Sequence, residues 1–222
     1  PADIAGPDAV FEDAIAYPRL DLPSKVDGSH QFAGDVRLPD MLYASIRHGP
    51  RLKPELTHFD LEAGAGQPGF IGVIRGKRFL AALGETWWAA DQALERMAPR
   101  YTVTGVADSA RIDAALEDGL RHGPAQRVAE RGTGDAGIGH FAVISRYDVA
   151  PAVHATLETA TATARYADGR LELWIASQAP EQARAAAAGA VGLSTSDVVL
   201  YPMPAGGSFD RRLQHDHAIE AA

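Results

Sequence analysis

A pair of glycines near the C-terminus, Gly206 and Gly207, stands where the chain could bind an anion. Residues 197–201 (DVVLY) have the β-branched composition of a buried strand, and the strand should end at Pro202. Helical spacing of apolar residues resumes after Asp210, which can cap a helix. The N–H groups of a glycine loop and of a helix N-terminus can together hold a phosphate. Two adjacent glycines also suit an ordinary turn, so the residues alone leave both interpretations open.

The other groups that could do chemistry form incomplete sets. His154 with Glu158, and His215 with His217, have spacings that could ligate a metal, but neither pair has a third ligand. Ser177 lacks the surrounding sequence of a hydrolase nucleophile. The residues therefore predict no metal ligand and no catalytic residue in this chain.

Composition limits the remaining classes of function. The chain has 222 residues, of which 46% are hydrophobic, and this is enough for one large or two small domains. Twenty-nine acidic against 21 basic residues give a net charge of −8, so neither a nucleic acid nor an anionic membrane is an expected partner. The absence of cysteine excludes disulfides, zinc–thiolate sites and iron–sulfur clusters ligated by this chain.

The N-terminal segment carries no recognisable targeting signal. Residues 1–10 lack the charged and apolar regions of a signal peptide, and no window has the apolar length of a membrane span. The chain begins at Pro1 rather than Met, which we interpret as a processed or excised piece. Residues 1–17 are proline-rich and acidic, and they are predicted to form an extended arm.

The first half of the chain predicts a small sheet with a helix packed on it. Residues 41–46, 70–75 and 78–83 are short apolar runs separated by turn signals, which is the pattern of strands. Residues 85–97 have small and apolar residues at helical spacing, and Thr86 can cap this helix. Strands followed by a helix indicate an α+β fold.

A glycine-rich stretch that begins near Pro124 divides the two halves. It follows a helix predicted over residues 108–120, with Ser109 as its cap. Beyond it we predict strands over residues 140–149, 157–166 and 171–176 and an alanine-rich helix over residues 180–191. The turn Ala167-Asp168-Gly169 predicts that the last two strands form a hairpin. The three tryptophans are predicted to be core or interface residues.

Several short motifs follow one another in the second half. They are HATLET (154–159), DGRLELW (168–174), Ser177-Gln178, the alanine helix ending in Gly192-Leu193, and GGSF (206–209). In this order they resemble the large, molybdenum-binding subunit of the xanthine dehydrogenase and aldehyde oxidase family. The pair Arg211-Arg212, followed by His215-Asp216, is most similar to the β subunits of isoquinoline 1-oxidoreductase and related bacterial aldehyde dehydrogenases.

Further motifs extend the resemblance to nearly the whole chain. They are PRLD (18–21), KVDG (25–28), GDVRLP (34–39), MLYA (41–44), PGF (68–70) and WAA (88–90), and they are similar to the family's α/β hammerhead domain. The resemblance implies an extended arm at residues 1–17, a hammerhead-like domain over 18–123 and the first part of a molybdopterin-binding domain over 124–222. Because such subunits are several times longer, it also implies that this chain is a middle fragment.

The resemblance implies a molybdenum hydroxylase that oxidises an aldehyde or an aromatic N-heterocycle, with water as the oxygen source. Electrons would pass to [2Fe–2S] clusters on a separate small subunit, which agrees with a chain without cysteine. The family's general base is a glutamate near the far C-terminus that this chain does not contain, so the fragment without the remainder of the large subunit is expected to be inactive. A periplasmic location is implied in preference to a cytoplasmic one.

The family's glycine loop wraps the molybdopterin cofactor, which we expect in its cytosine dinucleotide form. By position, cofactor contacts fall on six consecutive residues: Gly206, Gly207, Ser208, Phe209, Asp210 and Arg211. Without the rest of the subunit we expect residues 206–212 to be exposed and poorly ordered, and the fragment to hold no cofactor.

Two departures from the family pattern support an alternative function. Asp210 stands where the family usually has glycine, and its carboxylate would repel an anionic cofactor unless Arg211 neutralised it. Ala152 stands where the xanthine oxidase branch has a glutamine near the metal. The alternative is therefore a non-catalytic binding or assembly domain that kept the fold and lost cofactor contact.

Overall fold

Helices and strands alternate in the computed structural model, which describes residues 19–50, 53–105, 108–129, 131–132, 143, 145–153 and 155–222. Their mixture confirms the predicted α+β class. One compact unit runs from Leu38 to Val149, and the other combines the described residues up to Arg37 with those from Ala150 to Ala222. The domain limits predicted at residues 18 and 124 concern family domains, and they stay predictions.

A three-stranded antiparallel sheet is the centre of the first unit. Its strands β1 (Tyr43–His48), β3 (Phe70–Arg75) and β4 (Phe79–Gly84) lie in the order β1-β4-β3. Strand β3 has the predicted bounds, and β1 and β4 lie within two residues of theirs. A second sheet pairs β2 (Glu55–His58) with β5 (Arg100–Thr102).

Helix α3 (Trp87–Met97) packs on this sheet. Thr86 caps it as predicted, because its hydroxyl accepts a hydrogen bond from a backbone N–H of the first turn at 3.1 Å. Leu94 and Met97 are fully buried in one cluster with Leu80 of β4. Burying each such side chain contributes about 1.5–3 kcal/mol to folding.

The tryptophans are less buried than the sequence predicts. Trp87 and Trp88 in the first turn of α3 are 54% and 63% exposed, so a core position for them is wrong. Trp174 stacks on Tyr201, with ring centroids 4.9 Å apart. An interface role for Trp87 and Trp88 stays a prediction.

Helices α1 (Leu22–Asp27), α2 (Leu61–Ala65) and α4 (Ser109–His122) are peripheral, and neither α1 nor α4 has a buried residue. The cap of α4 is Asp108, whose carboxylate accepts from a backbone N–H at 2.8 Å. The prediction of Ser109 as the cap is wrong because Ser109 already lies inside the helix. None of the helices in the described ranges combines the length and apolar character that crossing a membrane requires.

The second unit is built on strands β6 (Ala162–Ala167), β7 (Arg170–Ile175) and β8 (Val198–Pro202). Strands β6 and β7 form the predicted hairpin, with Asp168 and Gly169 both at positive φ as a two-residue turn requires. Strand β8 pairs parallel to β7. A parallel neighbour needs a crossover connection, which a helix supplies here.

That helix is α5 (Pro180–Val191), and its bounds are those predicted from the sequence. Pro180 opens it and Gly192 ends it in the left-handed conformation. The alanines on one side of α5 let the helix approach the sheet closely. The buried core consists of Leu171, Leu173, Ile175, Ala183, Ala187, Ala188, Val198 and Ala218.

Some predicted elements differ from the structure or lie outside its described part. Of the strand predicted over residues 140–149, the residues 140–142 and 144 lie outside the described ranges, and residues 145–149 form no strand. Strand β6 begins at Ala162 rather than at residue 157. The arm predicted over residues 1–17 also lies outside the described ranges.

The C-terminal helix predicted after Asp210 is broken in two. A short 3-10 helix at Arg211–Leu213 is followed by α6 (Asp216–Ala221), and Gln214 between them is extended. Asp210 precedes the 3-10 helix in the left-handed conformation and makes no cap hydrogen bond. The loop after β8 therefore does not open onto a long helix.

Candidate functional site

The glycine loop, residues 206–210, follows β8 and has an irregular backbone. Gly207 lies at φ +112°, and Phe209 and Asp210 lie at φ +47° and +58°. Left-handed angles at non-glycine residues are uncommon, and they occur where the surrounding structure holds the backbone in place. The contacts that hold this loop come from two earlier segments of the second unit.

Glu158 binds the first residue of the loop through two hydrogen bonds. The N–H of Gly206 donates to Oε2 of Glu158 at 2.7 Å, and the N–H of Glu158 donates to the carbonyl oxygen of Gly206 at 3.1 Å. A Cβ on Gly206 would lie 2.5 Å from the Cβ of Glu158, so only glycine fits here without a shift. Gly206 is needed for close packing against Glu158.

Arg212 binds the loop from its other end. Its Nε donates to the carbonyl oxygen of Gly207 at 2.8 Å. Its Nη2 donates to Oε2 and to the backbone carbonyl of Glu158, at 2.7 and 3.1 Å. Arg212 is 3% exposed, whereas Arg211 is exposed. The buried cation at the loop is therefore Arg212, and the cofactor contact assigned to Arg211 stays a prediction. The expectation of an exposed segment 206–212 is wrong for Arg212, and Gly206, Gly207 and Ser208 are half-buried.

Gln178, just after β7, joins the middle of the loop. Its side-chain carbonyl accepts from the hydroxyl of Ser208 at 2.5 Å, and its amide nitrogen donates to the carboxylate of Asp210 at 3.2 Å. Its backbone N–H donates to the carbonyl oxygen of Arg212 at 3.0 Å. The sequence motif Ser177-Gln178 contains this residue, but sequence reasoning assigned it no role.

The histidines near the loop do not form a metal site with their neighbours. His217 on α6 contacts the carbonyl oxygen of Ala176 through Nε2 at 3.3 Å, and burial lowers the pKa of its ring below the usual 6.5. The nearby Arg212 and His215 lower this pKa further, while Asp216 raises it. The described residues contain no group of three or more possible metal ligands, and His154 lies outside them.

A cavity of about 420 Å³ lies beside the loop and is open to solvent on one side. Its lining residues are Lys25, Phe32, Ala155, Leu157, Ala205, Gly206, Gly207 and Phe209. The Lys25 ammonium is the cation of this lining, and it also pairs with Asp21 at 2.5 Å. The cavity offers apolar side chains and glycine backbone to a ligand, and the charge of its one basic residue, Lys25, is already paired with Asp21.

Comparison with known proteins identifies the region that contains this site. Residues 121–222 match the family model of the molybdopterin cofactor-binding domain. The glycine loop, Glu158, Gln178 and Arg212 all lie within the matched residues.

Two relatives match almost the whole chain. The β subunit of isoquinoline 1-oxidoreductase from Brevundimonas diminuta is 27% identical over 218 residues, which cover 92% of this chain and 28% of that protein. A subunit of nicotinate dehydrogenase from Pseudomonas putida is 27% identical over 217 residues, which cover 92% of this chain and 18% of that protein. The chain thus spans less than a third of either relative, and the resemblance seen in the sequence is confirmed.

Solved structures support the same fold. Quinoline 2-oxidoreductase from Pseudomonas putida 86 superposes with a TM-score of 0.61 at 16% identity, over 92% of this chain and 32% of that chain. Carbon monoxide dehydrogenase from Oligotropha carboxidovorans gives a TM-score of 0.58 at 17% identity, over 87% of this chain and 31% of that chain. The chain therefore shares its fold with part of each of these two proteins.

The residues of the cofactor-binding domain fit an anionic cofactor. Asp210 adopts the left-handed angles that glycine would take, and its carboxylate is engaged by Gln178, so its presence leaves the loop conformation in place. Arg212 is buried and its guanidinium neutralises the carboxylate of Glu158, while its Nη1 has no hydrogen-bond partner among the described residues. The N–H of Gly206 is already bonded to Glu158, so a cofactor contact there must come from close approach to its Cα. The contacts assigned to the six loop residues stay predictions.

Proposed function

We propose that this chain is part of a molybdenum hydroxylase subunit that oxidises an aromatic N-heterocycle or an aldehyde, with water as the oxygen source. The proposal is supported by the match of residues 121–222 to the cofactor-binding family model and by the hydrogen bonds of Glu158 and Arg212 to the glycine loop. The names of three relatives, isoquinoline 1-oxidoreductase, nicotinate dehydrogenase and quinoline 2-oxidoreductase, favour an N-heterocycle over an aldehyde.

The role of this chain is to hold the cofactor, which when bound supplies the redox chemistry at molybdenum. Residues Gly207 to Asp210 present backbone to it, and Gln178 fixes the side chains of Ser208 and Asp210. The guanidinium of Arg212 neutralises the carboxylate of Glu158, so this carboxylate does not repel an anion at the loop. We propose the cytosine dinucleotide form of the cofactor, and acid hydrolysis of the loaded protein should then release cytidine monophosphate.

The partners belong to the same proposal. Because the chain has no cysteine, electrons must leave through clusters held elsewhere, and we propose a small [2Fe–2S] subunit together with the remainder of the large subunit. We propose a periplasmic location, which fractionation of the natural host would test. The non-catalytic alternative rests on the charge of Asp210 and on Ala152. The left-handed angle of Asp210 is one that glycine would take, so this substitution is compatible with the family's loop conformation.

The 222-residue chain alone should bind the cofactor weakly, because a partial site leaves most of a dinucleotide-sized ligand in water. Calorimetry with the purified pterin cofactor tests this expectation. Submicromolar affinity would show that the cradle is complete within these 222 residues.

The activity is tested on the natural protein that contains this chain. We expect about one molybdenum per large subunit, and we expect oxygen from ¹⁸O-labelled water in the product formed from quinoline or isoquinoline. A parallel assay with benzaldehyde distinguishes oxidation of aldehydes from oxidation of N-heterocycles. A protein without molybdenum and without turnover of either class would leave only the binding or assembly function.

A further inference from the structure

Glu158 and Arg212 are 54 residues apart in the sequence, and together they hold the first two residues of the glycine loop. Oε2 of Glu158 accepts from the Gly206 N–H and from Nη2 of Arg212, both at 2.7 Å. Nε of the same guanidinium donates to the carbonyl oxygen of Gly207 at 2.8 Å. One carboxylate oxygen and one guanidinium thus connect two consecutive loop residues to a distant segment.

We propose that Glu158 and Arg212 form a positioning pair that fixes the glycine loop in the conformation that receives the cofactor. The proposal rests on the proposed function for the identity of the ligand, whereas the geometry of the pair stands on its own. Neither residue is among the predicted cofactor contacts. Their role is exerted through Gly206 and Gly207.

Because the Glu158–Arg212 pair is buried, its electrostatic attraction is only weakly screened by solvent. The side chains of Arg212 and Glu158 are only 4% and 14% exposed. By comparison, Arg47 and Glu95 form an ion pair whose side chains are 45% and 65% exposed. Water and salt screen an exposed pair strongly, but they act much less on a buried one. Breaking a buried pair also leaves an uncompensated charge, so the pair resists opening.

The geometry requires arginine rather than any cation. A planar guanidinium can donate from Nε to the carbonyl of Gly207 and from Nη2 to the Glu158 carboxylate at the same time. Lysine could keep the ion pair, but its single ammonium cannot reproduce the fork. The Arg212→Lys variant therefore keeps the positive charge but loses the simultaneous hydrogen bonds to Gly207 and Glu158.

The pair also leaves hydrogen-bonding groups unused. Nη1 of Arg212 and Oε1 of Glu158 are buried, and neither has a hydrogen-bond partner among the described residues. The contacts of the pair go to the loop backbone, while the core of the unit consists of other residues around β7 and α5. This placement favours a positioning role over a purely structural one.

Amide hydrogen exchange on the 222-residue chain tests the proposal without any cofactor. In Glu158→Gln and Arg212→Met we expect the Gly206 amide, which donates to Glu158, to exchange at least about tenfold faster, a change equivalent to about 1.4 kcal/mol. Amides in β7 and α5 should change by less than about twofold, since local opening leaves the core closed. Arg212→Lys should give an intermediate rate. Glu181→Gln, which removes the exposed partner of Arg184, is the matched control and should leave the loop unchanged.

Three results would overturn the proposal. Equal acceleration in loop and core would make the pair a purely structural element, and unchanged loop exchange would remove its positioning role. An Arg212→Lys variant identical to the wild type would refute the requirement for the fork.

A second arm uses the natural protein and reads the molybdenum content rather than turnover. We expect Glu158→Gln to retain several-fold less molybdenum than Glu181→Gln. Faster loop exchange with full molybdenum content would overturn the positioning claim and leave the proposed function intact. A wild-type protein without molybdenum would instead refute the proposed function, while the exchange arm still decides whether the pair fixes the loop.

Discussion

Replacing Gly206 by alanine is a direct perturbation of the loop. The added Cβ would lie 2.5 Å from the Cβ of Glu158, a distance at which one of the two must move. Both atoms are attached directly to backbone, so the contact cannot be relieved by rotating the end of a flexible side chain. The movement should pull Glu158 away from the Gly206 N–H and from Arg212.

The expected loss of stability is about 2 kcal/mol, from three contributions of differing sign. Overpacking a closely packed position costs about 1–3 kcal/mol. Weakening a hydrogen bond to a charged group lowers the free energy of unfolding by up to about 1.5–3 kcal/mol. Alanine also reduces the conformational entropy of the unfolded chain, which raises the free energy of unfolding by about 0.4–1 kcal/mol.

Tryptophan fluorescence can follow the unfolding of the second unit, which contains Gly206, separately from the first. The chain has three tryptophans, and Trp87 and Trp88 belong to the other unit, where both are exposed. In a Trp87→Phe, Trp88→Phe background, Trp174 on β7 is the remaining probe. Urea unfolding of the Gly206→Ala variant should show a lower midpoint at an unchanged slope.

Gly189 provides the matched control. It lies in α5, and a Cβ there would meet no atom within 4 Å. Gly189→Ala should stabilise the unit by about 0.5–1 kcal/mol, since alanine favours a helix. A Gly206→Ala variant as stable as the wild type would refute the close packing of Gly206 on Glu158.

Three further predictions concern the site and the cap of α4. Because the pKa of His217 is lowered in the folded state, the unfolded state binds more protons just below pH 6.5. The free energy of unfolding therefore falls as the pH drops through this window. Between about pH 7.5 and pH 5, the urea midpoint of His217→Gln should fall less than that of the wild type. Asp210→Ala should be about 1 kcal/mol less stable than Asp210→Gly in thermal unfolding, because the left-handed angle penalises a Cβ. Asp108→Ala should remove about 1 kcal/mol from α4, as measured by amide exchange, whereas Ser109→Ala should leave it unchanged. Equal effects in either matched pair, or equal pH slopes for wild type and His217→Gln, would contradict these assignments.

Local signals in the sequence predict much of the fold. Helix α5 has the predicted bounds because Pro180 and Gly192 mark its two ends, and β3 has them because turn signals flank it. The hairpin of β6 and β7 follows from Asp168-Gly169. These elements depend on residues close together in the chain, which sequence patterns report well.

The contacts that build the site are not local and could not be predicted. In the sequence Glu158 stands out as a possible partner of His154 and as part of the HATLET motif, but its pairing with Arg212 is a contact across 54 residues that neither pattern indicates. Arg211 and Arg212 are adjacent and chemically identical, so only the path of the chain after Asp210 decides which one is buried. Family motifs located the loop, but the side chains that hold it depend on tertiary packing.

The central claim is that the glycine loop of this cofactor-binding domain holds the molybdopterin cofactor. Amide exchange of the natural protein, compared between its molybdenum-loaded and cofactor-free forms, tests this claim most directly. We expect slower exchange at residues 207–210 in the loaded form, with α4 as an internal reference that does not change. Equal exchange of the loop in both forms, in a protein shown to contain molybdenum, would contradict the claim.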